Sequence, residues 1–250
     1  MLKIINLCLL SVIVHASLKS KVFEFEKSPT LSSSGFSVAT LENRPSLPSK
    51  FVLCSSHFQR EVNTKSTRTI YVIYEDDQFL IPWFNIGIWS ENFLWANIEN
   101  SYWYALAKVT EEDFADWIHI CLDIDTEQKE IITSINRKSY NKTLLREFQK
   151  VPKFYLKIGK VHHSEYNIPS QFYGMVSNIQ LLTPDAETAL CDLTKDLCRE
   201  RKELSILYWS DMSWNISGKD VRVMEQDSSF TCSDSSNIDL YVPFKITRRR

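Results

Sequence analysis

Hydrophobic residues occur in short runs along most of the chain, and polar turns separate one run from the next. Between residues 51 and 182 the runs are rich in Ile, Tyr, Phe and Trp, which favour β-strands. Many short strands without long helical patterns between them predict an all-β sandwich or barrel, and of the two we expect an antiparallel two-sheet sandwich. The predicted strands are Phe51–Phe58, Thr69–Tyr74, Phe79–Phe84, Ile86–Trp89, Phe93–Asn97, Tyr102–Lys108, Trp117–Ile124, Ile131–Asn136, Phe154–Gly159 and Phe172–Leu182.

Alternation within single strands assigns their faces. In Trp117–Ile124 the even-numbered residues are all Ile or Leu and share one face, which we assign to the core. Before residue 50, one strand is predicted at Lys21–Glu26, where Phe23 and Phe25 recur at period two.

Two short helices are also predicted. Thr110 can cap a helix over Glu111–Asp116, because Asp113 completes a capping box. Thr183 can cap a second helix with Pro184 at its first position.

The first sixteen residues have the features of a secretory signal peptide. Lys3 precedes an apolar run, and the small residue Ala16 predicts cleavage before Ser17. No later run is long and apolar enough to predict a transmembrane helix. We expect a secreted, extracellular protein whose sandwich spans residues 17–190. The composition changes after Leu190, and residues 191–250 are predicted to form a small cysteine-containing C-terminal module.

The cysteines are consistent with an oxidising compartment. The chain has six, and Cys8 leaves with the signal peptide, so five remain. An odd number predicts a disulfide-linked oligomer, unless the partner of one thiol lies beyond Arg250. Asn141 and Asn215 begin two sequons and are candidate glycosylation sites. The remaining cysteines are Cys54, Cys121, Cys191, Cys198 and Cys232.

Composition and motifs restrict the function. The formal net charge of −2 gives no basic excess, which argues against nucleic acid as a partner. Aromatic residues make up 12% of the chain and suit a packed β core. The chain has no nucleophile elbow, no metalloprotease helix motif and no phosphate-binding loop. We expect a protein that is not an enzyme, with no catalytic residue.

Several segments carry a resemblance when they are taken in order. The segments are Phe51-Val52-Leu53-Cys54, Trp117-Ile118-His119-Ile120-Cys121, Phe154-Tyr155-Leu156-Lys157-Ile158-Gly159 and Phe172-Tyr173-Gly174-Met175-Val176. This succession resembles the pentraxin and laminin-G group of concanavalin-like jelly rolls. The chain departs from the pentraxin pattern at Asp123-Ile124, where Ser/Thr-Trp would follow the cysteine. The resemblance covers roughly residues 22–190 and implies a jelly-roll sandwich.

The resemblance also implies two kinds of site. It implies a disulfide between Cys54 and Cys121, which both lie in predicted strands. Asp76 and Asp77 resemble the first element of the pentraxin calcium site, so calcium is a candidate ligand, and no cofactor is otherwise expected. The loop that should supply further carboxylates has Lys160-Val161-His162-His163 instead, which puts this site in doubt.

Three other groups leave alternatives open. His162 and His163 can bind zinc with Glu165 or His57, or they are surface loop residues. Asp123, Asp125 and Glu127 can form the carboxylate set of a jelly-roll glycoside hydrolase, or they lead into a hairpin turn. Four tryptophans in successive strands can stack on sugars or belong to the core, namely Trp83, Trp89, Trp95 and Trp103.

The expected function is extracellular recognition by a lectin-like or adhesion module. Its ligand would be a glycan, a lipid headgroup or an extracellular protein, bound by loops and one sheet face. Two alternatives remain, a structural module of a disulfide-linked assembly and a glycoside hydrolase.

Overall fold

The computed structural model describes the strands and several connections of the chain. The described residues are 19–25, 38–59, 68–74, 82–88, 93–98, 102–110, 117–136, 138–139, 143–144, 154–159, 161–162, 169–170, 172–183, 205–209, 211–218 and 221–227. In chain order the strands are β1 (Lys19–Phe25), β2 (Val38–Leu41), β3 (Lys50–Gln59), β4 (Arg68–Tyr74), β5 (Pro82–Ile88), β6 (Phe93–Ile98), β7 (Tyr102–Lys108), β8 (Ile118–Asp125), β9 (Glu130–Ile135), β10 (Lys138–Ser139), β11 (Thr143–Leu144), β12 (Tyr155–Gly159), β13 (Val161–His162), β14 (Pro169–Ser170), β15 (Gly174–Leu182), β16 (Ser205–Leu207), β17 (Trp214–Ser217) and β18 (Val221–Asp227).

Two large antiparallel sheets form the fold. Sheet A has the order β10-β9-β8-β3-β15-β1-β18, and β11 and β16 pair with β9 and β15. Sheet B has the order β17-β2-β12-β4-β5-β6-β7, and β13 and β14 form a small separate ribbon. This architecture confirms the predicted all-β, two-sheet sandwich. The described parts of the predicted strands Phe79–Phe84 and Ile86–Trp89 belong to one strand, β5, which continues through Asn85.

The core lies between the two sheets. The four even-numbered residues of β8 are fully buried there, which confirms their predicted face. Phe23 and Phe25 of β1 also belong to this core. We call the face of each sheet turned away from the other sheet its outer face. Residues on the outer faces lie next to the core residues along each strand, because side chains alternate.

The described residues after position 190 belong to the same sandwich. Strand β18 pairs with β1 in sheet A, whereas β17 pairs with β2 in sheet B. Trp209 and Trp214 pack edge-to-face on Phe23, at centroid distances of 5.3 Å and 5.1 Å. The predicted division at residue 190 stays a prediction, but residues 205–227 add strands to both sheets.

Strands β3 and β15 approach closely at one glycine. Gly174 has a φ of +147°, and an added Cβ would lie 2.0 Å from the carbonyl oxygen of Phe58. No other residue type fits this position, because the backbone of β3 occupies the space that a side chain needs.

Several predicted features lie outside the described residues. These are the signal peptide at 1–16, the helix after Thr110, the helix after Thr183, Asp76, Asp77, Trp89, Asn141, His163, Glu165, Cys191, Cys198 and Cys232. Among the described residues, no helix has the length and hydropathy that crossing a membrane requires.

Candidate binding face

A row of five positions, four of them polar, crosses the outer face of sheet B. The register places Thr40 opposite Lys157 and Lys157 opposite Val72. Val72 is in turn opposite Asn85, which is opposite Asn97. We call these five residues, Thr40, Lys157, Val72, Asn85 and Asn97, the outer-face row. Their neighbours along the strands, such as Ala39, Ile158 and Ile86, point into the core.

The row continues to the edge of the sheet on β17. Asn215, one of the predicted glycosylation sites, is opposite Thr40 and is exposed. Thr40 and Lys157 are half-buried, whereas Val72, Asn85 and Asn97 are buried. The accessible part of the row is therefore Thr40 on β2 and Lys157 on β12, and Asn215 on β17 lies beside it.

Two tyrosines lie beside the row on the same face. Tyr74 and Tyr155 are directly opposite each other on β4 and β12, and with Val72 they form a small apolar cluster of their own. Lys157 Nζ lies 5.4 Å from the ring centroid of Tyr74, and the guanidinium carbon of Arg44 lies 5.2 Å from that of Tyr155. Both distances are within the range of a cation–π interaction.

Burial changes the proton affinity of two of these groups. Desolvation lowers the pKa of the Lys157 ammonium, because a charged amine loses water when it is half-buried. Desolvation raises the pKa of Tyr74, because burial disfavours the charged phenolate, so its phenol stays neutral. Lys157 is therefore held over a neutral aromatic ring.

The amide pair is fully buried. Asn85 Nδ2 lies 3.5 Å from Asn97 Oδ1, a long distance for a hydrogen bond. Asn85 Oδ1 has no hydrogen-bond partner among the residues that the structure describes. Trp95, also fully buried, lies on the same face, because it is opposite Gly87 on β5 and its neighbours Leu94 and Ala96 belong to the core.

Of these residues on the outer face, only Trp95 and Asn215 were candidates from the sequence. Asn is depleted in strands, so Asn85 and Asn97 inside apolar runs were a usable signal. Nothing in the local sequence marked Arg44 and Lys157 as neighbours, because their proximity depends on strand pairing.

The predicted disulfide is present on the outer face of sheet A. Cys54 and Cys121 are directly opposite each other on β3 and β8, and their sulfur atoms are 2.04 Å apart. Ser56 and His119 form the next pair on the same face of these strands, with Ser56 Oγ 2.9 Å from His119 Nδ1.

Of the three carboxylates of the hydrolase alternative, Asp123 and Asp125 share the outer face of β8, whereas Glu127 lies beyond the end of the strand. Asp123 lies on the outer face of β8, 3% exposed, and its Oδ2 is 3.9 Å from Lys50 Nζ. Asp125 Oδ1 accepts hydrogen bonds from the backbone N–H groups of Glu127 and Gln128. Glu127 is exposed in the turn before β9, as the hairpin interpretation predicts.

The remaining candidates also have distinct positions. Trp83 belongs to the core, and Trp103 lies in β7. His57 is fully buried in the core, and His162 lies in β13. In the described part of the chain, no three His, Cys, Asp or Glu side chains are grouped as metal ligands would be.

His57 is held neutral in the core. Desolvation by burial, with a smaller effect of His119, lowers its pKa from 6.5 to about 3. Its Nε2 lies 2.7 Å from Ser55 Oγ, and its ring is 6.1 Å from that of Tyr71. Burial acts in the opposite direction on Tyr71 and raises its pKa, so this phenol also stays neutral.

The sequence has no match among protein-family models or curated proteins. Its structure is similar to the native heptameric SAP-like pentraxin of Limulus polyphemus, with a TM-score of 0.61 and 12% identity over 86% of this chain and 97% of the pentraxin chain. This chain has a pentraxin-like jelly-roll fold. The fold implied by the resemblance of the sequence is thereby confirmed.

Two further solved structures are similar to this pentraxin-like jelly roll. The full extracellular region of zebrafish Gpr126/Adgrg6 has a TM-score of 0.56 and 16% identity, over 82% of this chain and 26% of that one. A candidate carbohydrate-binding protein from Bacteroides ovatus has a TM-score of 0.50 and 12% identity, over 77% of this chain and 61% of that one. At these identities the similarity concerns the fold alone.

Proposed function

We propose that this protein is a secreted recognition module that binds carbohydrate on the outer face of sheet B. It carries out no chemistry on the ligand. The accessible part of the outer-face row, Thr40 and Lys157, makes the first contacts together with Arg44.

The observation that carries the proposal is the composition of this face. Sugars are recognised by hydrogen-bonding side chains that are held in fixed positions, because their hydroxyl groups need donors and acceptors. Thr40 and Lys157 supply polar groups at half-buried positions, and the buried Tyr74–Tyr155 pair beside them supports the cations rather than offering a free ring face. The similar structure from Bacteroides ovatus, a candidate carbohydrate-binding protein, supports the same class of ligand.

Export is supported by the sequence and by the disulfide. The apolar run before Ser17 predicts a signal peptide, and two sequons predict glycans. The Cys54–Cys121 bond is of a kind found mainly in proteins of oxidising compartments. The extracellular region of Gpr126/Adgrg6, one of the similar structures, is consistent with this location.

The test is a glycan-binding screen with the secreted protein and two matched variants. Thr40→Trp places a large ring on the accessible part of the row, so we expect binding to be lost. Ile132→Trp makes the same kind of change at a half-buried position of β9 in sheet A, and we expect binding to be retained. Loss of the amino-terminal run on secretion is checked by sequencing the mature protein.

Two results would oppose the proposal. If Thr40→Trp binds as the wild type does, the ligand does not use this face. If no saccharide binds to the folded protein, carbohydrate is not its ligand, and a protein partner or a structural role becomes the better explanation.

A further inference from the structure

Two cations and two tyrosines form one compact group on the outer face of sheet B. Tyr74 and Tyr155 are opposite each other, and Lys157 lies two residues from Tyr155 on the same side of β12. The Lys157–Tyr74 contact is therefore a diagonal cross-strand contact, which long side chains can reach. Arg44, in the connection after β2, lies over the other ring.

The rings hold the two charged groups in place. A cation over an aromatic ring gains electrostatic stabilisation and loses side-chain freedom, so part of the cost of ordering it is already met. An ammonium group has three N–H donors and a guanidinium group has five, so each group can make several contacts at once. These donors are suited to an anionic oxygen, and charge-assisted hydrogen bonds are stronger than neutral ones.

The surrounding face carries no opposing charge on its described strand positions. On β2, β12, β4, β5, β6 and β17, the outer-face residues whose side chains the structure describes include no Asp or Glu. Glu42, just after the end of β2, is the nearest acidic residue to Arg44 in the sequence. A ligand with a negative group therefore meets polar and aromatic side chains rather than repulsion.

Partial burial adds to this preference. The half-buried Lys157 ammonium is desolvated, and its pKa is lowered. An anion beside it would raise that pKa again, because an opposite charge favours the protonated amine. A neutral ligand would not restore the lost solvation of this charge.

We propose that Arg44 and Lys157 together recognise a carboxylate or sulfate group on a saccharide, so that the protein selects acidic sugars over neutral ones. This inference rests on the carbohydrate-binding function proposed above. The tyrosines orient the two cations, and the saccharide ring lies over the Thr40 end of the row.

The experiment compares matched pairs of ligands. One pair is an oligogalacturonate and its methyl ester, which differ in the carboxylate charge. The other pair is a sulfated dextran oligosaccharide and the unsulfated one. Inorganic sulfate is the fifth probe and separates a free anion from an acidic sugar. Affinities are measured by calorimetry at two salt concentrations, because screening weakens contacts between exposed charges.

Three variants test the two cations, and a fourth is their control. Lys157→Met keeps an unbranched stem over Tyr74 and removes the charge, and Arg44→Ala removes the second cation. Each should weaken binding of the charged saccharides about tenfold or more, since a charge-assisted hydrogen bond is lost. Lys108→Met is the matched control at an exposed position of β7, and it should bind as the wild type does. Lys157→Arg should retain most of the binding.

The outcomes separate this inference from the function on which it rests. Equal binding of charged and neutral saccharides, or an unaltered affinity of folded Lys157→Met, would overturn the inference and leave carbohydrate binding in place if Thr40→Trp still abolishes it. Inorganic sulfate that binds as tightly as the sulfated saccharide would overturn selection of a sugar. Absence of binding by every saccharide would overturn both proposals.

Discussion

Asn85 and Asn97 lie directly opposite each other on β5 and β6, fully buried, on the outer face of sheet B. A buried amide costs free energy unless both its donors and its acceptor are paired. Here the contact between the two side chains is long, and Asn85 Oδ1 has no partner among the described residues. The Asn85 amide is thus a poor source of stability at this buried position.

We expect the double variant Asn85→Leu/Asn97→Leu to be at least as stable as the wild type. Replacing two buried polar partners with apolar groups of similar size is often neutral or stabilising, by up to about 1–2 kcal/mol. Urea denaturation followed by tryptophan fluorescence measures the difference. Asn215→Leu, at an exposed position, is the control and should change stability little. A loss of more than about 2 kcal/mol in the double variant would show that the amides have good partners.

The Cys54–Cys121 bond should contribute strongly to stability. It links residues that are 67 positions apart, so it restricts a long loop in the unfolded chain. The chain-entropy model gives about 4 kcal/mol for a loop of this length. We expect Cys54→Ala/Cys121→Ala to unfold at a correspondingly lower urea concentration. Addition of a reductant should lower the midpoint of the wild type and leave that of the double variant unchanged, and a reductant effect on the variant would point to other disulfides.

His57 should make the fold sensitive to acid. Its pKa is about 3 in the folded protein and near 6.5 when unfolded, so the unfolded chain binds the extra proton between these values. Stability from this group is complete above about pH 6.5 and falls as the pH decreases towards 3. Between pH 6.5 and pH 5 the loss is about 2 kcal/mol.

The His57 effect is measured by urea denaturation at several pH values. His57→Gln cannot titrate, so its stability should vary less with pH than that of the wild type. The groups that face His57 in the core, Ser55 and Tyr71, do not titrate in this range. His119 has a smaller electrostatic effect on His57, and a His119→Gln background removes that effect. Parallel pH curves for the wild type and His57→Gln would contradict the prediction.

The sequence predicts features that depend on residues close together in one strand, but it does not predict features that depend on contacts between distant strands. Alternation identified the core face of β8, because period two is a local property of one strand. At β5 the same approach predicted two strands separated at Asn85, since Asn is depleted in strands. The structure has one continuous strand, because every residue of β5 is buried and packing overrides propensity.

The binding face depended on information that is not local. Lys157 and Tyr74 are 83 positions apart in the sequence, and the pairing of β4 with β12 brings them together. Arg44 lies in a connection, where no periodicity applies. The register of strands from distant parts of a chain is set by tertiary packing, so neither the outer-face row nor its cations follow from the pattern of single strands.

Asn215 connects the predicted glycosylation with the proposed ligand site. It lies opposite Thr40, which lies opposite Lys157, so it is two strands, about 10 Å, away from the ammonium-bearing residue. A glycan on this exposed side chain would cover the accessible part of the outer-face row. We expect Asn215→Gln, secreted from cells that glycosylate the wild type, to bind acidic saccharide faster and several-fold more tightly.

Three controls make this prediction specific. Mass spectrometry establishes that Asn215 carries a glycan in the wild type. Ser217→Ala removes the same sequon while keeping the asparagine, and it should behave as Asn215→Gln does. Asn141→Gln removes the other sequon and should leave the affinity unchanged. If a fully glycosylated wild type and Asn215→Gln bind at the same rate, the glycan projects away from the row, and access to Lys157 is set by the protein alone.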